Sequence, residues 1–233
     1  MLPRQGSSLG DVVALFVHEF VEFIGDITRG KSPPEIIEIH PPFADACNTA
    51  SEFLDVYEPF EKEITRMFPG VIICIENRSG SQYTKSKFLI STLDDIRSLL
   101  SEVDARGIKL KMAVDYPQLF TSYHKDPKDI PMNWFENEHS ILETYKEMIS
   151  SIHLWGKNRN SNGRLVAHNG DLNTLFDMDS NKKEGLLKLI SSFYDDGICR
   201  YFVPEVNSCD RDLHSIIEDC VAAGMTFSGE YYI

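Results

Sequence analysis

The chain has 233 residues, 42% hydrophobic and 25% charged, a composition that supports a sizeable packed core and excludes disordered or fibrous classes. A formal net charge of -13 repels polyanions at long range and argues against nucleic acid as the partner. Cys47, Cys74, Cys199, Cys209 and Cys220 are odd in number and lack CxxC spacing, which argues against a disulfide framework or zinc ribbon and fits a reducing cytoplasm. The expectation is one cytoplasmic domain over residues 1–233.

Residues 11–27 are the most apolar stretch, but Asp11, His18, Glu19 and Glu22 make it too charged to span a bilayer or act as a signal segment. Val12, Leu15, Phe16, Phe20, Phe23, Ile24 and Ile27 recur at helical spacing, so a helix packed on a sheet is expected, with Gly30 as its stop. Residues 35–40 read as the first strand. A helical zone from Thr49 to Met67 follows, in which Pro59 should kink the helix or start a second one. The second strand ends at Glu76, and the polar loop NRSGSQYTKSKF leads to a helix through Leu93, Ile96, Leu99, Leu100 and Val103 that stops at Gly107. The third strand ends at Asp115.

The connection YPQLFTSYHKDPKDIPMNWFENEH exceeds a bare strand-to-helix turn, which makes it a candidate for part of a binding site. A helix carrying Ile141, Leu142, Tyr145, Met148 and Ile149 then enters a strand ending at His153. The next loop, WGKNRNSNGRLVAHNGDLN, holds Lys157, Arg159, Arg164 and His168, the most basic patch of an acidic chain. A helix through Leu186, Leu187, Ile190, Phe193 and Tyr194 closes at Gly197. The last strand runs to Glu205, and Asp210 or Asp212 should cap a final helix with Leu213, Ile216, Ile217, Cys220 and Val221 inward and Gly224 at its end.

Five apolar segments thus end in His40, Glu76, Asp115, His153 and Glu205, in steps of 36, 39, 38 and 52 residues. Each step accommodates a strand, an amphipathic helix and two loops, the rhythm of an α/β chain of parallel strands. In a barrel of such strands the carboxyl ends share one rim, where these residues would converge. Five strands and about six helices fall short of a (β/α)8 barrel, so the expected fold is a TIM-barrel type incomplete at its N-terminus. Glu76, Asp115, His153 and Glu205 form an oxygen-rich set with one nitrogen, which suits one divalent ion, Mn, Mg or Co in preference to Zn. Three carboxylates against a dication leave a site suited to a neutral hydroxylated ligand such as a sugar or polyol. Glu76 and Glu205 are the candidate acid/base pair for proton transfer through an enediolate.

The segments IEN at Glu76, VDYPQ at Asp115, IHLWGK at His153, AHNGDLN around His168 and PEV at Glu205 resemble the xylose isomerase-like TIM-barrel superfamily. That superfamily includes ketose 3-epimerases, sugar phosphate isomerases and endonuclease IV. The resemblance covers roughly residues 10–225 and follows the last five strands of the family. It implies that Glu76, Asp115, His153 and Glu205 bind one metal and that the two glutamates exchange the proton. His40, Gln118, Lys157 and His168 are the candidate substrate-facing residues. Lys157 and Arg78 are candidates for holding a phosphate, and Trp155 and Trp134 either floor a pocket or pack. Two departures matter. Gln118 stands where the family often has histidine, and Val166 precedes His168 where the endonuclease branch has an aspartate, which favours a mononuclear site. The alternatives are an endonuclease IV-like phosphodiesterase acting at abasic sites, and a non-catalytic remnant or partner-binding domain. A second copy of the chain is a candidate cover for the open barrel edge.

Overall fold

The computed structural model describes residues 9–28, 32–80, 87–124 and 126–228, with the side chains of residues 9–14 excepted. The helix stop expected at Gly30, the Val12 side chain and residues 81–86 of the polar loop lie outside the described residues. The chain divides into two compact units, Met1–Ala113 and Val114–Ile233.

In the first unit, isoleucine-rich runs supply short β-branched strands: β1 (Ile36–Ile39) and β2 (Ile72–Glu76) pair in parallel with Ile37 opposite Ile73 and Glu38 opposite Cys74. β3 (Lys111–Asp115) continues the sheet, with Cys74 opposite Lys111 and Glu76 opposite Ala113. Parallel pairing requires crossovers, and helices supply them. α1 (Leu9–Thr28) precedes β1, α2 (Ala50–Met67) joins β1 to β2, and α3 (Leu93–Arg106) joins β2 to β3.

α2 begins at Thr49, whose hydroxyl accepts from the Glu52 N–H at 3.1 Å, and it runs as one helix through Pro59. Proline leaves one carbonyl without its intrahelical donor, but Pro59 is exposed, so water can replace that bond. α3 has a full capping box between Thr92 and Asp95, and it stops at Gly107 in the left-handed conformation, φ 67°. Its expected face, Leu93, Ile96, Leu99, Leu100 and Val103, is completely buried. Each such side chain contributes roughly 2 kcal/mol of transfer free energy.

α1 differs from expectation. Its contact is with α2, through Phe16 and Phe20 against Phe60 at 5.9 and 5.8 Å between ring centroids. Val17 and Ile24 are buried, whereas Phe23 and Ile27, read as inward, are 56% and 61% exposed. Spacing identified the helix, but the partner's position chose which arc it buries.

The second unit begins within β3 and continues with β4 (Ile149–Leu154) and β7 (Tyr201–Pro204), which pair in parallel with His153 opposite Val203. The two long connections are more structured than their sequences suggest. The first holds α4 (Tyr116–Tyr123), a 3-10 turn and α5 (Met132–His139). A 3-10 segment, Ser140–Met148, replaces the α-helix expected before β4, and Ile149, assigned to that helix, starts the strand. The second connection folds into an antiparallel hairpin, β5 (Lys157–Arg159) with β6 (Leu165–Ala167), followed by α6 (Leu172–Leu175). α7 (Ser180–Phe193) and α8 (Asp210–Ala222) complete the unit. Cys209 occupies the N-cap position of α8 without a side-chain bond, so Asp210 and Asp212 sit in its first turn and neither is the N-cap. Val221, expected inward, is 55% exposed.

This core includes a buried polar chain. The His139 ring packs on Phe193 at 4.4 Å, and its Nε2 lies 2.8 Å from the Tyr116 hydroxyl, which donates to Tyr194 at 3.2 Å. Tyr116 spends its proton on Tyr194, so His139 must be the donor to Tyr116. Burial lowers the His139 pKa to about 4.

The fold is α/β, an incomplete (β/α)8-barrel type, in agreement with the sequence. No helix among the described residues is long and apolar enough to cross a membrane. The five cysteines are free thiols.

Candidate functional site

The strand ends carry the expected polar residues, and each unit builds its own cluster. In the first unit, Glu76 closes β2 and is buried, while His40 follows β1 with a side chain 58% exposed. Nε2 of His40 lies 3.2 Å from Oε2 of Glu76 and 2.7 Å from a guanidinium nitrogen of Arg78. One ring nitrogen cannot serve both at once: it accepts from Arg78 when bare and donates to Glu76 when protonated. Arg78 also stands over the Phe88 ring at 5.8 Å. It is therefore engaged with its own unit, a role not legible in the sequence, where it stood as a candidate phosphate ligand.

In the second unit, Asp115 closes β3 and is fully buried. One carboxylate oxygen accepts the Gln118 backbone N–H at 2.8 Å, which makes Asp115 the N-cap of α4, and the other accepts the Trp155 indole N–H at 2.8 Å. Gln118 is buried as well. So is Lys157, whose ammonium hydrogen-bonds to the Thr121 hydroxyl and lies 5.4 Å from the Trp155 ring centre. Burial lowers its pKa to about 8, against the opposing pull of Asp115 and Asp126.

The remaining predicted residues meet at Glu205, just after β7. His153, buried near the end of β4, places Nδ1 at 3.3 Å from one Glu205 oxygen, and His168 places Nδ1 at 3.1 Å from the other. Burial alone would raise the Glu205 pKa, but the hydrogen bonds and charge of both imidazoles outweigh it and hold the carboxyl well below the usual range. His168 adopts φ 56°, uncommon for a residue with a Cβ, and its ring lies 4.2 Å from that of Trp155. When Nδ1 of His168 donates to Glu205, Nε2 carries the lone pair that a metal ion requires, the arrangement by which carboxylates orient histidine ligands.

Two glycines make this geometry possible. A Cβ on Gly156 would lie 2.4 Å from the Asp171 carbonyl oxygen, and one on Gly170 would lie 2.2 Å from the Thr174 hydroxyl. The backbones of W-G-K and H-N-G therefore cross in contact, joined by the Asn169 N–H to the Gly156 carbonyl at 3.2 Å. Both glycines were visible in one polar loop, but nothing local to either position signals that they face each other.

No family model matches the chain, and no curated protein matches it. Among solved structures it is similar to AsfvAP, solved as AsfvAP:AG, with 14% identity and a TM-score of 0.55 over 90% of this chain and 67% of that one. It also aligns with the Ignisphaera aggregans GH53 catalytic domain (11% identity, TM-score 0.49, 85% and 55% covered). A third match is AsbF of Bacillus anthracis, a probable 3-DHS dehydratase involved in petrobactin synthesis (12%, 0.38, 92% and 94%). The chain thus spans little more than half of the GH53 domain and two thirds of AsfvAP. The likeness to AsfvAP bears on the fold alone.

Proposed function

We propose that the protein is a divalent-metal-dependent isomerase or epimerase acting on a sugar, a sugar phosphate or a related polyol. The observation that carries this reading is Glu205: a partly buried carboxylate with one imidazole on each oxygen, at the carboxyl end of a parallel strand. Glu76, His153 and Glu205 are donors that could hold a metal ion; Asp115, which lies outside that group, is the fourth ligand of the proposed set. The donor chemistry fits a divalent ion, being carboxylate-rich with a single imidazole in the set. Such an ion, when bound, would polarise adjacent substrate oxygens and stabilise negative charge developing on them.

In this reading Glu205, kept ionised by its two imidazoles, removes the proton from the carbon beside the substrate carbonyl, and Glu76 in its protonated form returns one from the opposite side, with an enediolate between the two transfers. His168 accepts from a substrate hydroxyl through Nε2, and Gln118, Lys157 and His40 select the sugar's remaining groups. Exclusion of water from the buried side of Asp115 and His153 keeps the carboxylates' hydrogen bonds strong. Elemental analysis of the purified protein tests the reading. About one Mn, Co or Zn per chain, lost in a Glu76→Ala, Glu205→Ala double variant, supports it; no metal after reloading rejects it.

A second reading has its own observation. Each of the two glutamates carries an imidazole beyond the proposed set, His40 at Glu76 and His168 at Glu205, and these are donors for further ions. Two or more zinc ions per chain, with nicking of duplex DNA at abasic sites, would favour metal-dependent phosphodiester cleavage over isomerisation.

A further inference from the structure

We propose that Trp155 is a positioning residue, whose indole sets the aim of both the Asp115 carboxylate and the His168 imidazole. The proposal rests on the reading above, in which Asp115 is a metal ligand and His168 faces substrate.

Trp155 follows β4 by one residue, beside a polar hairpin, yet it is completely buried. A buried indole N–H must find an acceptor, and this one finds the carboxylate that closes β3, at 2.8 Å. The other oxygen of Asp115 is held by the Gln118 N–H, so a donor on each oxygen fixes the carboxylate against rotation. The indole face does the second task. His168 lies 4.2 Å away with the rings inclined at 33°, and the Lys157 ammonium lies 5.4 Å from the same ring.

His168 reaches that position only through a left-handed backbone, φ 56°, and its carbonyl accepts the Asn207 N–H at 2.8 Å. Loop segments otherwise relax away from such a conformation. Here the crossing of Gly156 with the Gly170–Asp171 backbone holds it, and the indole ring supplies the surface on which the imidazole rests. A tryptophan that only filled space could take any acceptor and any neighbour. This one takes one proposed metal ligand through its N–H and the residue facing Glu205 through its ring.

Trp155→Phe separates the two tasks, because phenylalanine keeps a ring face and removes the donor. Binding of Mn²⁺ by the full chain is followed through the electron paramagnetic resonance of the free ion. Trp155→Phe is expected to weaken binding about 10- to 100-fold, as loss of an orienting partner does, with a cooperative thermal transition retained. Unchanged affinity in a folded Trp155→Phe protein overturns the proposal. If the parent protein binds no Mn²⁺, the metal reading fails separately. The positioning claim is then decided without metal, on the indole N–H proton resonance of Trp155 in a Trp134→Phe background. That resonance is expected to exchange slowly with water and to shift in Asp115→Ala; rapid exchange with no response to Asp115→Ala overturns the proposal.

Discussion

The two units place their polar groups differently. Among the described residues, the buried polar side chains of the first unit are Glu76, Asn77 and Ser91, whereas the second buries Asp115, Gln118, His139, Ser151, His153 and Lys157. The first unit keeps its imidazole at the surface, His40 beside a buried Glu76. The second reverses the arrangement, with a buried His153 beside a Glu205 side chain that is 31% exposed. An imidazole exposed to water is free to turn and fixes its carboxylate partner only loosely. A carboxylate gripped from both sides by less accessible rings is oriented, and orientation is what a ligand or proton carrier needs. The difference marks the Glu205 cluster of the second unit as the more organised of the two clusters.

The sharpest way to break that contrast is to remove each carboxylate's charge in turn. Glu205→Gln and Glu76→Gln are each expected to lower a demonstrated isomerase activity by about 10²- to 10⁴-fold. A loss confined to Glu205→Gln would restrict the chemistry to the second unit, and full activity in both would end the acid/base assignment.

Glycine substitutions compare the units at the next level. Gly156→Ala forces a Cβ to within 2.4 Å of backbone atoms and should cost about 3 kcal/mol or more. Urea unfolding followed by tryptophan emission reads this directly, since Trp134 and Trp155 both lie in the second unit.

Acid provides a third comparison. The His139 pKa is about 4 in the folded protein against an ordinary value of 6.5, so His139 is neutral in both states above pH 6.5 and its contribution is complete there. As pH falls from 6.5 toward 4, the unfolded chain takes up the proton and the folded one does not, which removes about 3 kcal/mol by pH 4 and no more below it. His139→Phe should flatten that slope in tryptophan-detected unfolding. An unchanged slope would assign it to another group.

The smallest effect belongs to the first unit. Gly25 lies inside α1 with open space where a methyl group would stand, no neighbouring atom coming within 4 Å of that point among the described residues. Gly25→Ala should therefore stabilise by about 0.5–1 kcal/mol in a thermal melt. A loss instead would mean that a close neighbour does occupy that face.

Sequence by itself determined the elements whose signals are local. Apolar, β-branched runs set the strands, the Thr92–Asp95 box and Gly107 set both ends of α3, and the polar residues at or beside the ends of β2, β3, β4 and β7 are legible as breaks in those runs. Its errors came where a second element decides. The exposure of Phe23 and Ile27 depends on where α2 lies, Val221 depends on the packing of α8, and the β5–β6 hairpin emerged from a stretch whose polarity hid its alternation.

The candidate site divides in the same way. Glu76, Asp115, His153, His168 and Glu205 were legible as residue types at strand ends and in one loop. That His168 adopts a left-handed backbone, that Trp155 donates to Asp115, and that Glu205 receives a different imidazole on each oxygen were decided only by the tertiary structure. Periodicity is a property of residues two to four apart, whereas these pairings join residues up to 52 positions apart, and packing of the intervening chain selects them.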